Sequence, residues 1–173
     1  MKRIIIIGTT GSGKSTLGRR LAERHGLAYT DLDDLHWLPG WQERPRDEFS
    51  AKLKEAVAPE GWVLAGNYMS RAPEVAWPLA DTLIWLDIPF WPNFIALAKR
   101  TFRRARTQED ICNGNRESLL KQLFTKESLF VWFLKTWGKN RKRFGALFAA
   151  PQNYPNMKMI RLGSYAEASG FGL

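Results

Sequence analysis

The sequence predicts an α/β protein built on one parallel sheet covered on both faces. Three observations carry that expectation. Gly8-Thr9-Thr10-Gly11-Ser12-Gly13-Lys14-Ser15 fits the pattern GxxxxGK[ST], placed directly between an apolar run and a helix-periodic segment. Short apolar runs recur at 4–7, 27–30, 62–65, 83–86 and 157–162 with helical patterns between them, the alternation expected of strands buried by crossover helices. With 173 residues, 45% of them hydrophobic, the chain is long and apolar enough for one domain with a sizeable core.

The opening run 4–7 is too short for the apolar core of a signal peptide and reads as a strand. In the loop that follows, glycines let backbone N–H groups converge on a phosphate chain without side-chain crowding. Gly8, Thr9, Thr10, Gly11, Ser12, Gly13, Lys14, Ser15 and Thr16 are therefore the expected nucleotide-binding residues. Lys14 would reach the β- and γ-phosphates, Ser15 would ligate Mg²⁺, and the N-terminus of the next helix adds a favourable field. That helix runs from Lys14 to about His25, with Gly26 as its stop. His25 complements the helix dipole there and carries no catalytic expectation.

Ligands of open α/β sheets bind beyond the carboxyl ends of the strands. After the second run comes Asp31-Leu32-Asp33-Asp34, where Asp31 and Asp33 would share a side if the strand continued. Asp31 is expected to hold Mg²⁺ through water and Asp33 to take the proton of an acceptor hydroxyl. The competing expectation is that Asp34, and Asp31 with it, simply caps the next turn. His36 is either a second polar contact or a solvated loop histidine. Trp37 and Trp41 fall in a loop punctuated by Pro39 and Gly40, where a stacking wall for an acceptor competes with ordinary core packing. A helix is expected from Asp47 to about Val57. After the third run, Gly66-Asn67-Tyr68 offers an amide and a close backbone approach, and Arg71 a clamp for an anionic acceptor.

Beyond Leu86, 94–106 and 116–148 look helical, and 99–143 carries thirteen Lys/Arg against four Asp/Glu, as large an excess as the net +9 of the whole chain. Polyanions are the implied partners; ATP is one and nucleic acid another, and charge alone does not separate them. Arg100 and Arg104 share a helix face, with Arg103 and Arg106 close by. Arg100 is expected at the ATP, and Arg104, Arg106 or Arg116 at the transition state, against the alternative of a solvated basic face. Asn113-Gly114-Asn115 breaks the helices where a mobile lid could hinge. No run approaches a membrane span, and the single cysteine, Cys112, permits no internal disulfide or zinc site. A soluble, cytoplasmic protein with no membrane partner is expected.

Taken together, GTTGSGKST, LDDLHWLPGW, GNY with Arg71, ADTLIWLD and NGNRES resemble the P-loop kinases known as DNA topology modulation or adenylate-kinase-related proteins. Shikimate kinase and adenylate kinase are more distant relatives of that group. The resemblance spans nearly the whole chain. It implies a P-loop NTPase fold, a three-layer α/β/α arrangement with a five-stranded parallel sheet in order 2-3-1-4-5, and a helical lid, with ATP and Mg²⁺ as donor and cofactor. The Asp31-Leu32-Asp33 pair resembles the DxD of shikimate kinase, which implies metal and acceptor roles. Two positions depart from the group: Ala65 stands where an Asp usually precedes GNY, and Phe90 where an Arg often follows strand four. The metal then depends on Ser15 and Asp31. The acceptor is left open between a nucleotide and a hydroxylated small molecule, with a nucleotide-dependent regulator or nucleic-acid binder as the competing function. No NKxD-type guanine signature favours a GTPase.

Overall fold

A computed structural model describes residues 1–68, 73–116 and 128–172. Its centre is a five-stranded parallel sheet of β1 (Arg3–Gly8), β2 (Ala28–Asp31), β3 (Trp62–Ala65), β4 (Thr82–Leu86) and β5 (Lys158–Leu162). Their spatial order is 2-3-1-4-5, as expected. β1 lies at the middle, Ile4 to Ile6 pairing in register with Val63 to Ala65 on one side and Thr82 to Ile84 on the other.

Covering on both faces explains the unbroken apolar runs, because successive strand residues point to opposite sides. Ile5, Ile7, Leu64, Leu83 and Trp85 pack under Phe49 and Leu53 of α3 (Arg46–Ala56) and Phe144 of α5 (Leu129–Phe148). Ile4, Ile6, Val63, Ile84 and Leu86 pack under Leu17 and Leu21 of α1 (Lys14–His25) and Ala168 of α6 (Tyr165–Gly170). Three layers result. The edge strands β2 and β5 are less buried, and β1, β3 and β4 fill the interior.

Two expectations need correction. β2 does not continue through Asp33: it stops at Asp31, whose side chain accepts from the Asp33 N–H and caps the short helix α2 (Leu32–His36). The region 99–143 is not one lid. α4 (Phe90–Thr107) is followed by an antiparallel ribbon, Asp110–Ile111 with Asn115–Arg116, whereas α5 packs Phe144 into the core under the sheet and Phe133 against Phe90 and Phe94 of α4. Buried Asp87, just past β4, fastens this corner, pairing with Arg141 of α5 and Arg161 of β5. Among the described residues no helix is long and apolar enough to cross a membrane.

Candidate active site

The phosphate loop runs from the end of β1 to the start of α1. Gly13 precedes α1 in the left-handed region, φ 92° and ψ 15°, a conformation that favours glycine. Gly8 has a different reason to be glycine: a Cβ there would stand 2.7 Å from the Ser12 hydroxyl and 2.9 Å from the Leu86 carbonyl. The Lys14 ammonium donates to the carbonyls of Gly8 (2.9 Å) and Thr9 (3.1 Å). Burial lowers its pKa, with Arg100 acting in the same direction and the charges of Asp33 and Asp31 opposing. Thr9 and Ser12 are buried, Thr10 and Gly11 partly so, and Thr16 is exposed.

Asn67, expected at the acceptor, turns its amide onto the loop instead. Its Nδ2 donates to the Gly8 carbonyl at 2.6 Å and its Oδ1 accepts from the Gly8 N–H at 3.0 Å. Both ends of the amide are spent on tying β3 to the entry of the loop. Asn67→Ala should therefore destabilise the fold by about 1–3 kcal/mol, the cost of leaving such backbone groups unpaired, read by urea denaturation.

Next to the loop, Ser15 Oγ lies 2.6 Å from Asp31 Oδ2, which also accepts from the Tyr29 hydroxyl at 3.2 Å. Asp31 thus caps α2, as one of the two expectations had it, and meets the loop serine at once. Ala65 is the residue paired with Asp31 across the sheet and is fully buried. The carboxylate beside Ser15 comes from β2, not β3.

Asp33 is placed by the first turn of α2 rather than by strand alternation. It is exposed to water on one side, and accepts from the Tyr68 hydroxyl at 2.7 Å. Desolvation first, and the Asp31 charge second, hold its carboxyl above the usual carboxylate range against the pull of Tyr68, Lys14 and Arg100. Asp34 is shifted the same way by burial, Asp31 and Asp33. Burial, together with these carboxylates, pushes the neighbouring Cys112 thiol up to about 12, leaving it a poor nucleophile.

The acceptor side is aromatic. His36 is neither solvated nor open: it is buried, its ring 4.6 Å from Trp37, 4.8 Å from Tyr68 and 6.3 Å from Phe49. Trp37 is half-buried and Trp41 is 39% exposed, with ring centroids 5.7 Å apart edge to face. Trp41 has φ 59°, unusual for so large a residue, and its N–H donates to Asn115 Oδ1 at 2.9 Å. Arg44 is engaged by the Leu35 carbonyl and Glu48, and Arg46 by Glu74. Arg71 lies outside the described residues.

Asn113-Gly114-Asn115 is not a loose break. Asn113 Nδ2 donates to the carbonyls of Asp34 (2.8 Å) and Trp37 (2.6 Å), and Asn115 Nδ2 to those of Leu38 (3.0 Å) and Cys112 (2.6 Å). The ribbon is buttoned to the acceptor side. Among the arginines, Arg100 sits close enough for its charge to act on Lys14, Asp33 and Tyr165, and Arg104 close enough to act on Cys112. Arg106 departs from the expected transition-state position: two residues from Arg104 on the same helix, it is turned about 200° away and is exposed on the outer face. The Arg116 backbone pairs with Asp110 in the ribbon, and its side chain lies outside the described structure.

Several known proteins resemble this chain. Residues 4–63 match a family model described as an AAA domain. A shikimate kinase of Pseudomonas entomophila (strain L48) is 29% identical over 142 residues, 72% of this chain and 77% of that protein. The uncharacterized protein YqaC of Bacillus subtilis (strain 168) is 28% identical over 131 residues, 75% of this chain and 72% of that protein. Among solved structures, a sugar kinase from Janibacter sp. HTCC2649 superposes with a TM-score of 0.50 and 19% identity, over 94% of this chain and 85% of that one. The fold is that of the P-loop kinases.

Two residues of this P-loop kinase fold that meet the loop are not foreseen from the sequence. Tyr165, just after β5, donates its hydroxyl to the Gly11 carbonyl at 2.9 Å, and burial raises its pKa to about 12. The strand-end rule points to that position, since Tyr165 follows the fifth apolar run. Asn93 of α4 packs against Gly11, and no sequence signal marks it.

Proposed function

We propose that the protein is an ATP-dependent kinase that moves the γ-phosphoryl group to a hydroxyl of a small-molecule or nucleotide acceptor. The observation that carries this is the nearness of Lys14 in the phosphate loop to Asp33 at the start of α2, each close enough to shift the other's proton affinity. Lys14 would neutralise charge on the β- and γ-phosphates. Asp33 accepts the acceptor's hydroxyl proton as its oxygen bonds to the γ-phosphorus, and the bond from that phosphorus to the departing ADP oxygen breaks in line. Arg100 stands close enough to act on Lys14 and Asp33, and Arg104, one turn on along α4, close enough to act on Cys112; cations so placed would stabilise the transferring charge. Trp37 and Trp41 wall the acceptor, and Arg71 is its proposed clamp.

Mg²⁺ fits the donor set. Among the described residues no cluster of three or more His, Cys, Asp or Glu could hold a metal unaided, but Ser15 and Asp31 offer the hard oxygens that Mg²⁺ uses together with phosphates. When bound, it would neutralise phosphate charge. The likeness to a shikimate kinase supports a small-molecule acceptor, and the LDDLHWLPGW, GNY and NGNRES motifs support membership of the topology-modulation group.

The test is a screen of hydroxylated metabolites and nucleoside monophosphates for acceptor-dependent ADP release. One acceptor class should raise release well above the rate with water alone. Uniform basal release across every class would contradict a kinase.

A second reading, nucleic-acid binding, is favoured by one surface. On the outer stripe of α4, exposed Trp91, Ile95 and Phe102 alternate with Lys99 and Arg106, cations interleaved with rings. Arg141 of α5 is engaged by Asp87 and is no part of this surface. On this reading, replacing Lys99 and Arg106 by alanine lowers the salt slope of single-stranded DNA binding by about 0.7 for each phosphate no longer neutralised. An unchanged slope removes that surface.

A further inference from the structure

We propose that Asn93 is a positioning residue of the phosphate loop, carrying an amide that bonds the peptide joining Thr10 and Gly11 when the loop closes on a phosphate chain. This rests on the kinase reading above.

Asn93 lies near the start of α4 with no exposed surface. Its backbone N–H is used by the Pro89 carbonyl at 3.1 Å, but neither Nδ2 nor Oδ1 of its side chain has a hydrogen-bond partner among the described residues. A buried amide with both ends unpaired is costly, and a leucine, with the same side-chain branching, would remove that cost. The position needs a reason to be polar, and its neighbour supplies one. Asn93 Oδ1 is 3.0 Å from where a Cβ on Gly11 would stand, and Leu97 Cβ is 2.9 Å from the same point. Gly11 has φ 81°, so its peptide passes α4 at a distance only a glycine permits.

The loop's present bonds show which way it is held. The Gly11 carbonyl is taken by Tyr165, and the Gly8 and Thr9 carbonyls by Lys14. A polyphosphate competes for the Lys14 ammonium and draws loop N–H groups toward itself, so the loop's internal bonds must be redistributed. Two polar side chains at the loop are buried without a partner among the described residues before that happens: Ser12 Oγ within it and the Asn93 amide beside it. Asn93 carries both a donor and an acceptor, so it can serve whichever side of the peptide turns toward α4.

The experiment compares wild type with Asn93→Leu, measuring the melting midpoint of the protein alone and MgATP affinity by calorimetry. The expected result has opposite signs: Asn93→Leu melts higher, because an unpaired amide is gone, yet binds MgATP about five- to tenfold more weakly, one hydrogen bond's worth. A higher midpoint with unchanged affinity would overturn the proposal; a lower midpoint would report overpacking by the larger leucine, and the wild-type labelling experiment then decides. In wild-type protein labelled with ¹⁵N-asparagine, the Asn93 side-chain NH₂ signals should shift and exchange more slowly with water on adding MgATP, while those of exposed Asn153 stay put. Unmoved Asn93 signals overturn the proposal even if the variant does not fold. Wild-type protein that fails to bind MgATP takes down the kinase reading and this one together, whereas equal binding by both proteins removes this one alone.

Discussion

Asp33→Asn protein should bind MgATP as wild type does and transfer phosphoryl groups about 10²- to 10⁴-fold more slowly, the usual contribution of a positioned base. Asparagine keeps the shape and can still accept from Tyr68, but cannot take a proton. The wild-type rate should carry the same signature in its pH dependence. Asp33 acts only when ionised, and desolvation and Asp31 hold its carboxyl above the ordinary range, so the rate falls at a higher pH than an unperturbed aspartate would give. A raised value in the folded chain also means that this group favours folding at low pH and that its contribution is lost as pH rises through the raised value. At neutral pH the ionised carboxyl weighs against folding. Asp33→Asn should therefore melt above wild type while being nearly inactive, and undiminished transfer by that protein would remove Asp33 as the base.

Lys14→Met should abolish both binding and transfer, with transfer down about 10²- to 10³-fold or more, the scale set by removing a preorganised charge from a reacting centre. The substitution keeps the apolar stem of the side chain and deletes only the ammonium. Burial lowers the Lys14 pKa, so its charged form weighs against folding at neutral pH and offsets part of what its bonds to the Gly8 and Thr9 carbonyls contribute. A stable protein without nucleotide affinity would separate loss of function from loss of fold. Calorimetry with MgATP and a melting curve on the same sample measure both.

The parts of the molecule legible in the sequence are those whose physics is local. Glycines at fixed spacing are demanded by backbone convergence on phosphate, and apolar runs by a sheet covered on both faces, so the loop and all five strands can be read from residue order. Asp31 is ambiguous in the sequence because a strand end and a helix cap use the same residue types; its side chain does both jobs. Nearness in sequence groups the arginines, but helix phase is the deciding quantity, and it separates Arg106 from Arg100 and Arg104. Asn67, Asn113 and Asn115 look like ligands or turn formers, but their amides close tertiary bonds to Gly8, Asp34, Trp37 and Leu38 that composition does not reveal. Tyr165 meets Gly11 across 154 residues, a distance over which periodicity carries no information.

In the proposed kinase, Lys14 and Asp33 form a donor site facing an acceptor. Phosphorus-31 NMR of wild-type protein with MgATP and the strongest acceptor from the screen tests it most directly. The γ-phosphate signal should be replaced, at a matching rate, by that of a phosphomonoester of the acceptor, and Asp33→Asn should show neither change. Growth of inorganic phosphate alone, or an unchanged ATP spectrum with wild-type protein, would contradict the account.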